Sequence, residues 1–105
     1  MKEQIEAWVS RCQKLIDNYQ KETFPTLIRP ILVIMWGKKY ARIVRQEAEN
    51  GKVFHRSAWA FVNIENGDIF KPASWKAPAK HARGNIKDEK QGMGLMGAYG
   101  PAYLK

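Results

Sequence analysis

The residues best suited to chemistry lie between Asn66 and Ile86, in the run N-G-D-I-F-K-P-A-S-W-K-A-P-A-K-H-A-R-G-N-I. The stretch from Phe70 to Lys87, one residue past that run, carries five Lys or Arg residues (Lys71, Lys76, Lys80, Arg83 and Lys87), one His and no acid. Ammonium and guanidinium groups hold a phosphate, and backbone N–H groups at a helix start add to them. Lys76, Lys80 and Arg83 beside Pro78 offer both. Phe70, Trp75 and Arg83 supply flat faces on which a base can stack, and Asn85 or Asn63 supplies an amide to read its edge. Each residue has a plainer role as well. Trp75 serves equally as a core anchor, Arg83 as an ion-pair partner of Asp88 or Glu89, Asn85 as a turn residue and His81 as a polar surface residue.

Catalytic patterns are missing. There is no phosphate-loop motif, no nucleophile elbow and no paired-histidine metal motif. The acids near the basic run, Glu65, Asp68, Asp88 and Glu89, are few and set among bases, unlike a carboxylate cluster for a metal-dependent nuclease. The glycines at 92, 94 and 97 follow no expected strand, so they do not read as a dinucleotide fingerprint. Two histidines far apart and one cysteine give no zinc site and no internal disulfide. Hence the sequence points to binding without catalysis, with no cofactor and no metal.

The net charge of +8 favours an anionic partner, either a small nucleotide or the backbone of a nucleic acid. A pocket would be compact and contain a ring. A nucleic-acid stripe would extend over the surface and bind with steep salt dependence. The clustering of bases within one short stretch favours the pocket. Purely protein-mediated binding through the apolar, glycine-rich C-terminal stretch is a third reading. No run reaches membrane-spanning length and no signal peptide is visible, so the expected location is cytoplasmic, with no membrane partner.

Something must position these residues, and 105 residues suit a single domain, 1–105. Ile5, Trp8, Val9, Cys12, Leu15, Ile16 and Tyr19 recur at helical spacing, which predicts an amphipathic helix over residues 2–21 with Cys12 in its core face. Thr23–Pro30 is the connection. Ile31–Trp36 is an uncharged, β-branched run, expected to be a strand buried on both faces or at a protein interface. Gly37-Lys38 makes a hairpin turn into a second strand, Lys39–Gln46. Neither face of that strand is cleanly apolar, so Arg42 or Arg45 could face a ligand. A polar turn ending at Asn50-Gly51 leads to a third strand, Val53–Ile64. Strict alternation there puts Trp59 and Phe61 on one face and Ala58, Ala60 and Val62 under the helix. Asn66-Gly67 turns the chain into a fourth strand, Asp68–Lys71, and the sheet is expected to end at Pro72. Pro78 and Gly84 then bracket a short basic helix. The stretch Gly92–Gly100, apolar despite its four glycines, reads as an ordered tail lying over its own sheet or a neighbouring subunit. The fold class is therefore α+β: an N-terminal helix on a small antiparallel sheet, a short basic helix and an ordered Gly-rich tail.

The block G-D-I-F-K-P-A-S-W-K-A-P-A-K-H-A-R-G-N-I, with the tail G-M-G-x-M-G-x-Y-G-P-A-Y-L, resembles a family of short bacteriophage and prophage proteins. The likeness spans Val53 to Leu104. It is similar to the phage anti-Thoeris sponge proteins, which sequester cyclic ADP-ribose-type signals made by bacterial TIR-domain enzymes. The resemblance implies a homo-oligomer without catalysis, with ligand sites between subunits and a purine held by an aromatic ring and an arginine. Here the ring would be Phe70 or Phe61, and the arginine Arg83. Some such sponges take cyclic oligonucleotides at a separate site.

Overall fold

The computed structural model describes residues 1–23, 30–49, 52–88, 92–94, 96–97 and 100–101. The expected connection over 24–29, the Asn50-Gly51 turn, Glu89 and the tail residues Leu95, Tyr99 and Tyr103 lie outside the described residues.

Helix α1 spans Lys2–Thr23, with Glu3 in the first turn and Lys21 in the last, each charge set against the opposite end of the helix dipole. The expected stripe is the buried one: Ile5, Trp8, Val9, Cys12 and Ile16 all enter the core, whereas Tyr19 stays exposed. Burial pushes the Cys12 thiol up to about 12, against the opposing pull of the Arg11 charge. Cys12 is therefore a neutral core group at physiological pH rather than a nucleophile. Its sulfur lies 3.9 Å from Met93 Sδ.

The helix covers one face of a five-stranded antiparallel meander in the order β1-β2-β3-β4-β5. The strands are β1 (Ile31–Trp36), β2 (Tyr40–Glu49), β3 (Lys52–Asn63), β4 (Asp68–Pro72) and β5 (Pro78–Asn85). Leu32, Ala41, Ile43, Ala60, Val62 and Ile69 form the sheet side of the core against α1. Gln13 fastens helix to sheet: its amide nitrogen Nε2 donates to the Pro30 carbonyl at 3.0 Å, and its Oε1 accepts from the Leu32 N–H at 2.7 Å.

Three expectations need correction. First, β1 is an edge strand, not a strand buried on both faces; Ile31, Met35 and Trp36 are exposed. Second, alternation fails in β3. Ile43 pairs with Ala60 and Val44 with Ala58, so Trp59 is an extra residue in a bulge. A bulge turns two successive side chains towards one side. Trp59 thus joins Ala60 in the helix-side core, its ring 6.2 Å from that of Trp8, while Phe61 and, against expectation, Ala58 face the other way.

Third, the expected short basic helix is strand β5, paired antiparallel with β4 through two register shifts. Pro78 and Gly84 suit helix ends, but a proline also fits the first residue of a strand, where its missing N–H costs no ladder bond. Pro78 faces Pro72 across the mouth of the loop 73–77, which the Ala73 and Ser74 N–H groups close on the Ala77 carbonyl at 3.0 and 3.2 Å. Gly67, at φ 83°, makes the preceding turn; a Cβ there would lie 2.9 Å from Ile86 Cγ1. In the C-terminal stretch, the short strands β6 (Met96–Gly97) and β7 (Gly100–Pro101) pair with each other. Met93 and Met96 pack against the core.

Candidate functional site

The sheet face away from α1 carries the polar and aromatic groups. Strand pairing sets Met35 (β1), Arg42 (β2), Phe61 (β3), Phe70 (β4) and Ala82 (β5) in one row across the sheet. The bulge decides who else joins them. Arg56 and Ala58 pair with Gln46 and Val44, which share a β2 face with Arg42. Without the extra residue Trp59, Arg56 and Phe61 would point to opposite sides; with it, they share the open face.

Rings pack here edge to face, the arrangement their quadrupoles favour. Tyr40 meets Phe61 at 6.3 Å and Phe70 at 5.8 Å between ring centroids, with interplanar angles of 88° and 90°. The Arg42 guanidinium lies over Phe61 at 5.8 Å and over Trp75 at 4.8 Å, and the Arg56 guanidinium over Trp75 at 5.5 Å. Trp75, carried by the loop 73–77, therefore folds back over two strand arginines and stays 36% exposed. It is therefore not the core anchor that the plainer reading made it.

Beside this cluster is a pocket of about 280 Å³. Its bases are Lys38, Lys39, Arg42 and Lys76, its rings Trp36, Tyr40 and Phe61, and Met35 and Gly37 complete it. No acid lines it. The hairpin turn places two of the lysines: the Gly37 N–H donates to the Tyr40 carbonyl at 3.0 Å, so Lys38 and Lys39 project from its tip. Lys39 Nζ lies 5.4 Å above the Tyr40 ring and Lys2 Nζ 5.3 Å above that of Trp36. The Arg42 Nε is buried without a hydrogen-bond partner among the described residues.

The residues expected from sequence divide. Phe61 and Lys76 line the pocket, Trp75 covers its arginine, and Phe70 stands behind Tyr40. Lys71, Lys80, Arg83 and Asn85 do not line it. Lys80 is exposed on β5, and Arg83 Nη1 donates to the His81 carbonyl. The two amides considered as base readers hold the turn together. Asn63 Oδ1 accepts from the Glu65 and Asn66 N–H groups at 2.8 and 3.1 Å. Asn85 Nδ2 donates to the Asn66 carbonyl at 2.8 Å and to Asp68 Oδ1 at 3.0 Å, while its Oδ1 accepts from Lys87 N–H at 2.8 Å. Of the two β2 arginines singled out, Arg45 pairs with Glu47 at 2.8 Å, and Arg42 goes to the aromatic cluster. Arg56, Tyr40, Met35, Lys38 and Lys39 were missed. The mixed character of the second strand was the available signal for Tyr40. Nothing in the local sequence marks Arg56.

No helix among the described residues is long and apolar enough to cross a membrane, and no group of three potential metal ligands occurs among them. The architecture is that of a small α+β protein in which α1 backs one face of the sheet and the other face bears cations and rings. The chain belongs to a family of unknown function, DUF7717, whose model matches residues 2–100. No curated protein and no solved structure matches it.

Proposed function

We propose that the protein binds an anionic nucleotide without turning it over, on the sheet face opposite the helix. The observation that carries this reading is the pocket itself: four bases and three rings with no acid, beside a tryptophan stacked on two arginines. Bases attract and hold phosphate, and rings accept a base by stacking. A volume near 280 Å³ lies at the small end of ligand pockets, roughly 300–1,000 Å³, which fits one nucleotide unit better than a long strand. The phage resemblance of the segment 53–104 narrows the ligand to a cyclic ADP-ribose-type immune signal and the role to sequestration in an infected bacterial cytoplasm. The alternative, a basic phage protein that binds DNA or RNA, draws on the +8 charge and the openness of the same face.

The test is to incubate the protein with cyclic ADP-ribose isomers, cyclic oligonucleotides, single-stranded DNA and RNA, then to release and identify what stayed bound. Recovery of an intact cyclic ADP-ribose isomer at one per site is expected. Recovery of nucleic acid alone, with affinity falling steeply in salt, would establish the alternative. Recovery of chemically altered nucleotide would overturn binding without turnover.

We further propose that the functional form is a homo-oligomer joined through β1. This edge strand has no charge and exposes Ile31, Met35 and Trp36, whereas edges that avoid pairing carry lysine, proline or a bulge. Met35 and Trp36 also rim the pocket, so a second copy's strand would extend the site. Because the Leu32 N–H points to Gln13 rather than β2, alternation directs the Ile34 and Trp36 N–H groups outward as well. Their amide exchange should slow with rising protein concentration, together with a rise in mass by light scattering. Concentration-independent exchange at a monomer's mass would dismiss this assembly.

A further inference from the structure

Arg42 and Arg56 come from adjacent strands and meet on one sulfur: Arg42 Nη1 is 3.8 Å and Arg56 Nη2 3.3 Å from Met35 Sδ. A thioether is a weak acceptor and leaves a cationic donor largely unsatisfied. Both guanidinium groups also lie over the Trp75 ring, at 4.8 and 5.5 Å from its centroid. A cation–π contact occupies one side of a guanidinium and leaves its N–H donors available for an acceptor. Arg45 shows the other outcome, with its Nη1 donating to the Glu47 carboxylate at 2.8 Å. Among the described residues no carboxylate approaches Arg42 or Arg56 in this way. Two like charges have thus been drawn to one point beside Trp75 and given no anion among the described residues.

Resting on the reading of this face as a nucleotide site, we infer that Arg42 and Arg56 together seat a phosphate unit of charge −2, either a terminal phosphate or a diphosphate bridge. Each planar fork can take two oxygens of a phosphate group. A dianionic unit offers oxygens and charge enough for both forks. An internal diester, with one charge and two non-bridging oxygens, matches one fork and leaves the second cation uncompensated. Trp75 then keeps the two guanidinium groups together, and the base lies towards the part-exposed pocket ring Tyr40, on the Arg42 side.

The experiment is a calorimetric titration with adenosine 5′-monophosphate, ADP-ribose and 3′,5′-cyclic AMP. The first carries a terminal phosphate, the second a diphosphate bridge, and the third a singly charged diester. Wild-type protein should bind at least one of the first two roughly tenfold or more tightly than the diester, the gain expected from one additional charge-assisted contact. Arg56→Gln, at an exposed position, should erase that preference, costing the monophosphate or diphosphate ligand roughly tenfold more affinity than it costs the diester. Arg56→Lys should restore part of it, because the charge returns without the fork. The terminal-phosphate and diphosphate arms show which source the seat takes. Equal affinity for all three, unchanged by Arg56→Gln, would overturn the two-arginine seat and leave the nucleotide-binding proposal standing. No binding of any of them, nor of the cyclic ADP-ribose isomers, would overturn both.

Discussion

Replacing Gly92 with alanine is expected to destabilise the fold by ~2–4 kcal/mol, from a positive-φ backbone and an overfilled core. Gly92 has φ 77°, and a Cβ on it would lie 2.7 Å from Trp8 Nε1, 2.9 Å from Trp8 Cδ1 and 2.9 Å from Ile69 Cδ1. Trp8 is fully buried at the centre of the helix-side core, and its Nε1 donates to the Gly92 carbonyl at 3.2 Å. The Gly92 N–H in turn donates to Asp88 Oδ1 at 2.8 Å. The glycine is therefore gripped on both sides, and the indole cannot retreat without opening a hole beside Trp59. For a domain of this size the melting temperature should fall by roughly 10–20 °C. A double-mutant cycle separates the causes. Trp8→Phe removes the indole nitrogen, the atom the new methyl would approach most closely, so the pair should cost less than the sum of the two single changes. Additive costs would mean that backbone strain alone is responsible, and an unchanged melting temperature for Gly92→Ala would show that this segment does not seat on Trp8.

How much of this could be read in advance depended on whether the signal was local. The α1 stripe was legible because helical periodicity over twenty residues has few rival explanations, and the uncharged run Ile31–Trp36 gave its strand bounds correctly. Pro78 and Gly84 misled because proline and glycine mark where an element stops, not which element it is; their dihedral and donor properties suit a strand start and a bend as well as helix caps. The bulge at Trp59 was invisible because one inserted residue leaves the composition of the strand untouched while reversing the alternation beyond it. That single residue also hid Arg56 from the site. The candidate site was read as a cluster along the chain, but a meander sheet builds a face by taking one or two residues from each strand. Hence Lys76 and Phe61 line the pocket and Trp75 lies over Arg42, a residue the mixed face of its strand had flagged, while Lys80, Arg83 and Asn85, expected on the strength of a shared helical turn and an amide, fall outside the pocket lining.

That difference sets up the second large effect, Arg42→Ala, which should weaken nucleotide binding by roughly tenfold to more than a hundredfold, the ~1.5–3 kcal/mol of a hydrogen bond made to a charged group. Arg42 is the residue common to the pocket lining, the Phe61 ring, the Trp75 ring and Met35. Its loss removes a charge from the pocket and the stacking partner that holds Trp75 over the sheet. The cost to folding should be smaller, about 1 kcal/mol, since the side chain is half-buried and contributes packing and cation–π contact rather than core volume. Arg42→Lys should bind with intermediate affinity, because an ammonium group keeps the attraction but not the fork or the flat face. Lys80→Ala and Arg83→Ala are the matched comparisons, being changes within the basic run that leave the pocket lining intact. Both should bind within about threefold of wild type, as expected for charges acting at a distance through solvent. Should Arg42→Ala bind normally while Lys80→Ala or Arg83→Ala loses the ligand, the site belongs on β5, along the basic run, and the open sheet face is only scaffold.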